Sequence, residues 1–197
     1  LLRQHPERRP EDARLKLVAE AQLLREFKAW RESYEVYGEA VQRFPQDTEL
    51  LYDQAMMAEK AGLPAEMERL LRQLIASKPD HHHAYNALGY SLADRNERLP
   101  EAKQLIEKAV SLAPTDAYIQ DSLGWVEFRL GNADRALAIL KDAYGKRPDP
   151  EIAAHLGEVL WVKGQRDEAL RVWREGLLLS NDNETLQGTL KRLQVKP

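Results

Sequence analysis

The sequence predicts an all-α solenoid, in which similar helix hairpins stack side by side. Residues 123–148 and residues 156–176 carry the same order of key residues. In both, a Leu-Gly pair is followed by Gly after seven residues, Ala after five more, a bulky apolar residue after four and a small residue after three. Self-similarity at a period of about 34 residues is the signature of stacked helical repeats. We therefore expect two helices per repeat.

The spacing of the key residues has a physical reason in helix packing. Small residues such as Gly124, Ala136 and Ala143 let two antiparallel helices approach closely. Gly131 stands where the first helix should end, because a left-handed C-terminal cap favours glycine. Pro148 stops the second helix and turns the chain into the next repeat. The pattern thus predicts the start and end of each helix.

Five repeats follow one another along the chain. The last two match the pattern best, the third has one extra residue before Ala102, and the first is weakest because Glu20 and Lys28 depart from it. We predict repeats at residues 14–47, 48–81, 82–116, 117–149 and 150–183.

The two ends of the chain are predicted to differ. Residues 184–197 place Leu186, Leu190 and Leu193 at helical spacing, which predicts a capping helix over the last repeat. Residues 1–13 are predicted to be the end of a preceding repeat followed by a short polar linker over residues 6–13. The expected parent protein therefore continues upstream with more repeats.

Composition opposes several classes of function. Of the 197 residues, 43% are apolar and 31% are charged, and no apolar run approaches the length of about 18 residues that a spanning helix needs. The formal charge of -3 opposes nucleic-acid binding, including the alternative of a helical-repeat RNA binder. Without cysteine, the chain has no disulfide, thiolate metal site or Cys nucleophile. We predict no cofactor.

Two groups of residues that contain histidine are not predicted to be functional sites. Adjacent residues on a helix point about 100° apart, so His81-His82-His83 should not converge on one metal ion, and no metal site is predicted. His155 and Glu158 lie one helical turn apart and are interpreted as a surface ion pair, with an unrecognised catalytic site around them as the alternative. No Gly-rich phosphate loop or nucleophile elbow is present. The chain is therefore predicted not to be an enzyme.

Over about residues 14–183 this pattern resembles the tetratricopeptide repeat family. The resemblance implies a right-handed superhelix of helix hairpins, whose first helices line an inner groove that binds protein or peptide partners. Repeat positions 2, 5, 9 and 12 share the helical face that would point into this groove. The groove residues we select from these positions are Tyr52, Met56, Asn86, Tyr90, Tyr118, Asp121, Trp125, Phe128, Glu158 and Trp161.

The predicted groove is aromatic and acidic. Rigid aromatic side chains recur at binding surfaces, which favours peptide binding, although internal packing of Trp125 and Trp161 is an open alternative. Carboxylates such as Asp121 and Glu158 should attract an apolar segment that carries some Lys or Arg. Family members that clamp a C-terminal carboxylate carry Lys and Asn at positions 5 and 9 of one repeat. Because no repeat here has that pair, a chaperone-tail clamp is not expected.

Residues 86–179 also resemble the C-terminal repeats of large proteobacterial tetratricopeptide lipoproteins. Those are similar to an outer-membrane adaptor that activates a carboxyl-terminal processing protease and brings it peptidoglycan hydrolases. The resemblance implies a periplasmic docking module with a lipid anchor upstream of Leu1. The alternatives are a scaffold for secretion, pilus or polysaccharide-export assembly, a self-associating homo-oligomer, and a cytoplasmic location.

Overall fold

The computed structural model describes residues 9–197 and consists, over that range, of α-helices joined by turns, with no strand. The all-α class predicted from the repeats is confirmed. The helices are α1 (Pro10–Glu26), α2 (Trp30–Arg43), α3 (Thr48–Lys60), α4 (Pro64–Ser77), α5 (His82–Asp94), α6 (Leu99–Leu112), α7 (Ala117–Arg129), α8 (Ala133–Lys146), α9 (Pro150–Val162), α10 (Arg166–Leu179) and α11 (Glu184–Leu193).

The ends of the first helices follow the glycine pattern. Gly62, Gly131 and Gly164 have φ angles of 72°, 89° and 79°, in the left-handed region that glycine enters at no steric cost. Lys28 and Asn96 stand at the same repeat position with φ angles of 56° and 57°. The turn therefore keeps its left-handed geometry in the two repeats that lack this glycine, against the steric preference of a side chain.

The starts of several first helices are capped by acidic side chains. The carboxylate of Asp47 accepts hydrogen bonds from the backbone N–H groups of Glu49 and Leu50. Asp116 caps α7 and Asp149 caps α9 in the same way. Such caps satisfy backbone donors that have no partner within the helix.

Small residues allow the two helices of a hairpin to pack closely. A Cβ atom added at Gly157 would lie 2.1 Å from Nε1 of Trp173. At Gly124 the added atom would lie 2.6 Å from Cγ of Leu140. These distances leave no room for a side chain, as the sequence predicted for this repeat position.

The chain divides into two compact units, residues 1–84 and residues 85–197. In the first unit, α1 to α3 enclose a core around Tyr37, Leu50 and Met57. In the second unit, α7 to α11 enclose a core around Trp173. Leu186 and Leu190 of α11 pack against that core, as expected for a capping helix.

The N-terminal part corrects one expectation. Residues 10–13, predicted as part of a polar linker, form the first turn of α1, and Ala13 is buried. The backbone N–H of Arg9 donates to Asp12 at 2.9 Å, which stabilises this helix start. The predicted end of a preceding repeat lies in residues 1–8, outside the described residues. Within residues 9–197, no helix has both the length and the apolar character needed to cross a membrane.

Candidate functional site

The predicted groove residues differ widely in exposure. Tyr118 is the most accessible, with 37% of its surface exposed. Asp121, Trp125 and Glu158 are buried, with 3%, 3% and 4% exposed. The others are half-buried: Tyr52, Met56, Asn86, Tyr90, Phe128 and Trp161. Partner binding by these ten residues stays a prediction, but only part of the set has surface to offer a partner.

Trp125 packs inside the second unit. Its ring stacks on the imidazole of His155 with centroids 4.3 Å apart and an angle of 24°. The ring of Phe128 lies 5.5 Å away, and the guanidinium of Arg129 lies 5.6 Å from the indole centroid. Of the two interpretations left open for Trp125, internal packing is the one that describes its position.

The buried imidazole of His155 connects three first helices. Its Nδ1 atom lies 2.9 Å and 3.0 Å from the two carboxylate oxygens of Asp121 on α7. Its Nε2 atom lies 3.2 Å from the hydroxyl of Tyr90 on α5. With 1% of its surface exposed, His155 is not part of a surface ion pair with Glu158, and that interpretation was wrong.

The charges around His155 oppose the effect of its burial. Burial by itself would lower the pKa of the imidazole, but the carboxylates of Asp121 and Glu151 raise it above its ordinary value. The pKa of Glu151 is raised overall, because the effect of its burial exceeds the opposing effect of the neighbouring His155 imidazole. The cluster therefore favours a protonated His155 beside the carboxylate of Asp121.

Glu158 has its own partner on the capping helix. Nη1 and Nη2 of Arg192 donate to Oε1 and Oε2 of Glu158 at 2.9 Å and 2.5 Å. Such a bidentate pair fixes both side chains in one geometry. Asp121 and Glu158 were expected to attract a basic segment, but their charges are balanced by His155 and Arg192 inside the chain.

Sequence reasoning missed these two pairs, although a signal for them exists. Asp121 and His155 are 34 residues apart, and Glu158 and Arg192 are also 34 residues apart. This separation is within one residue of a repeat, because the fourth predicted repeat has 33 residues and the fifth has 34. Each pair therefore joins a first helix to the helix that follows it by about one repeat. Complementary charges 34 residues apart would have identified both pairs.

Tyr118 is exposed, whereas Trp161 is half-buried with its ring 5.5 Å from that of Trp173, and each lies beside an arginine. The guanidinium of Arg166 lies 3.6 Å from the centroid of Trp161, and that of Arg147 lies 4.7 Å from the centroid of Tyr118. The hydroxyl of Tyr118 donates to Asp149 at 2.9 Å. These contacts hold both rings in a defined orientation while leaving part of each ring accessible.

Tyr52, in the first unit, lines a separate pocket. The pocket has a volume of about 630 Å³ and includes the three consecutive histidines at residues 81–83. Among residues 9–197, no three or more His, Asp or Glu side chains are grouped so that they could hold a metal ion. The histidines instead form an aromatic wall opposite Tyr52.

Comparison with known proteins places these features in a family. A tetratricopeptide repeat family model matches residues 68–117 and 122–177, which together exceed half of the chain. The chain is 42% identical over 176 residues to TPR repeat-containing protein PA4667 of Pseudomonas aeruginosa. This match covers 89% of the chain, which spans only 30% of that relative's length.

Solved structures share the fold. The thermophilic TPR protein TTC0263 of Thermus thermophilus has a TM-score of 0.79 at 24% identity, with 92% of this chain and all (100%) of that chain covered. MamA of Desulfovibrio magneticus has a TM-score of 0.66 at 18% identity, with 88% and 98% covered. From the family match and the hairpin architecture, we conclude that this chain belongs to the tetratricopeptide repeat family.

Proposed function

We propose that the chain is a non-catalytic docking module, in the periplasm, that binds a carboxyl-terminal processing protease, its cell-wall hydrolase substrates, or both. The coarser part of this statement follows from the family, because tetratricopeptide repeats are protein-interaction scaffolds. The protease, its substrates and the location are our proposal.

The observation that carries the binding role is the accessible aromatic surface on the first helices of the second unit. Tyr118 is exposed and Phe128 and Trp161 are half-buried, although other side chains already contact all three. Aromatic anchors with fixed orientation bind with little loss of side-chain entropy. We infer that a partner segment packs against these rings.

The finer assignment is supported by resemblance. Residues 86–179 resemble the C-terminal repeats of proteobacterial lipoprotein adaptors for such a protease. The Pseudomonas relative, a repeat protein by its name, matches most of this chain but is much longer. A lipid anchor and any further repeats would belong to the rest of such a longer protein, so the activity of the whole adaptor is also part of the proposal.

The buried His155 cluster supports a structural rather than a catalytic role. Hydrogen bonds connect the carboxylate of Asp121 to the imidazole of His155 and the imidazole to the hydroxyl of Tyr90. Some hydrolases use a carboxylate, an imidazole and a hydroxyl in this order to transfer a proton. However, only 1% of His155 is exposed, so a substrate cannot reach its imidazole. We propose that these hydrogen bonds hold three first helices together and that the three residues catalyse no reaction.

A binding experiment tests the docking role. The purified chain is immobilised and offered the purified protease and a peptidoglycan hydrolase from the same cell envelope. We expect Trp161→Ala and Tyr118→Ala together to weaken capture at least about tenfold, because two aromatic anchors are each worth about 1 kcal/mol or more. Unchanged circular dichroism should show that the helices remain folded.

The matched control is Leu178→Ser on α10, a second helix. Leu178 is 87% exposed, so this change removes apolar surface from the opposite kind of helix without disturbing the core. We expect it to leave capture unchanged. If Leu178→Ser abolished capture while the aromatic variants bound normally, the surface formed by the second helices would be the docking face.

Self-association is a second candidate, because α1 and the residue that follows it expose large apolar side chains. Leu15, Leu23 and Phe27 are 59%, 50% and 76% exposed. If these side chains join two copies, light scattering should show dimers of the chain, and Phe27→Glu should convert them to monomers. Monomers at all concentrations would eliminate this candidate.

A further inference from the structure

The pocket in the first unit has two facing walls. Helix α3 provides Glu49, Tyr52 and Asp53, which share one helical face. The opposite wall is formed by His81 and His83, whose ring centroids lie 5.4 Å and 6.3 Å from that of Tyr52. The pocket is therefore aromatic on both sides.

The charge of the pocket is negative when the histidines are neutral. Three carboxylates line it, those of Glu49, Asp53 and Asp80, against the single ammonium group of Lys78. Glu49 already pairs with Arg14 at 3.0 Å, which leaves Asp53 and Asp80 to face a ligand. An anionic ligand would be repelled from this pocket.

Asp53 lines this pocket and is half-buried. Burial raises the pKa of its carboxyl, while the charge of Arg25 and the hydroxyl of Tyr37 lower it. The raised pKa means that the carboxylate charge is incompletely balanced within the chain. A cation that entered the pocket would supply the missing balance.

Tyr52 differs from other aromatic side chains of the chain in its neighbours. Trp30, Trp125, Tyr118 and Trp161 each have a Lys or Arg of this chain over the ring. Among the described residues, Tyr52 faces imidazole rings and has no such cation. The ring of Tyr52, which lines the pocket, is therefore not already paired with a Lys or Arg of the described residues.

From this geometry we infer that the Tyr52 pocket binds the guanidinium or ammonium group of a basic side chain on a protein partner. The aromatic ring of Tyr52 faces the cation, and the carboxylate of Asp53 pairs with it. This inference rests on the proposed function, because the occupant is a residue of a docked protein. It adds a chemical preference for Arg or Lys in the segment that meets the first unit.

A nuclear magnetic resonance titration tests the pocket without any partner protein. The probe is Nα-acetyl-L-arginine amide, and the neutral comparison is the corresponding citrulline amide, which has the same shape without the charge. We expect arginine amide to shift the resonances of Tyr52, Asp53 and His81 to His83, with a dissociation constant on the order of millimolar, as for a single side chain. Citrulline amide should shift them much less.

Two variants and a control make the test specific. Tyr52→Leu removes the aromatic face, and Asp53→Asn removes the charge while it keeps an acceptor for the hydroxyl of Tyr37. Each should weaken arginine amide binding about fivefold or more, the fold-change of one cation–π or ion-pair contact. Glu32→Gln, an exposed carboxylate outside the pocket, should have no effect.

Several results would overturn the inference. These are equal shifts with citrulline amide, unchanged binding in both pocket variants, or shifts caused by Zn²⁺ and not by arginine amide. Failure of the proposed function would be seen separately. If arginine amide causes no shifts but the protease is captured normally, only the inference about the pocket is overturned. If arginine amide binds but neither protease nor hydrolase is captured, the proposed docking role is overturned.

Discussion

Replacing Trp173 with alanine is expected to lower the free energy of unfolding by about 3–5 kcal/mol, the range for deleting a large buried aromatic side chain. Trp173, on α10, is fully buried in the core cluster of the second unit, which also contains Leu156, Val159 and Leu186. Its indole N–H donates to the backbone oxygen of Ala154 at 3.4 Å. Chemical denaturation followed by circular dichroism measures the loss.

Two glycine substitutions test whether tight packing around Trp173 is the reason for its large contribution to stability. Gly157→Ala should destabilise the chain by about 1–3 kcal/mol, because its new Cβ would overlap the indole of Trp173. Gly145→Ala in α8 has no atom within 4 Å of the added Cβ and should stabilise by about 0.5–1 kcal/mol. The interpretation fails if both changes shift stability in the same direction.

Replacing Asp121 with alanine is the second change with a large expected effect. We expect a loss of about 3–5 kcal/mol in the free energy of unfolding, because the change leaves His155 buried without the carboxylate that balances its charge. The double variant Asp121→Leu with His155→Phe should recover most of that loss, since an apolar pair leaves no unpaired buried charge. A double variant as unstable as Asp121→Ala would contradict this explanation.

The same pair predicts a pH dependence with a definite sign. The pKa of His155 is raised in the folded chain, so the folded state holds this proton more tightly than the unfolded state. The stabilisation is fully present below the unfolded pKa of about 6.5 and is lost as pH rises through the raised folded pKa. Asp121→Asn keeps an acceptor but removes the charge, and should flatten the decrease in stability with rising pH. Parallel pH curves for the two proteins would exclude this role of Asp121.

Much of the fold could be predicted because the repeat depends on local rules. Gly131 and Gly164 end helices through a left-handed turn, and Gly157 leaves the space that Trp173 fills. These requirements act between residues close in sequence, so they leave a readable spacing. Lys28 and Asn96 show where this prediction fails. Both adopt the left-handed turn although neither is the glycine from which the turn was predicted.

The candidate site could be predicted only in part. Helical periodicity placed Trp125 and Phe128 on one face of α7, where their rings lie 5.5 Å apart, and it placed Tyr118 on the same helix, where its side chain is exposed. It could not give the depth of burial of each position on that face. Depth depends on neighbouring repeats, which cover Trp125 with His155 and leave Trp161 beside Arg166.

The sequence by itself determined the all-α repeat class, the caps and the close contacts within hairpins, because each depends on residue types at short, fixed separations. Only the tertiary structure decided that Asp121 pairs with His155 and Glu158 with Arg192. These charges meet because stacking brings residues about one repeat apart to within hydrogen-bond distance. For the same reason, Asp121 and Glu158, which were predicted to attract a basic segment, are balanced within the chain. The surfaces that we propose for partners are the aromatic side chains of the second unit and the Tyr52 pocket of the first.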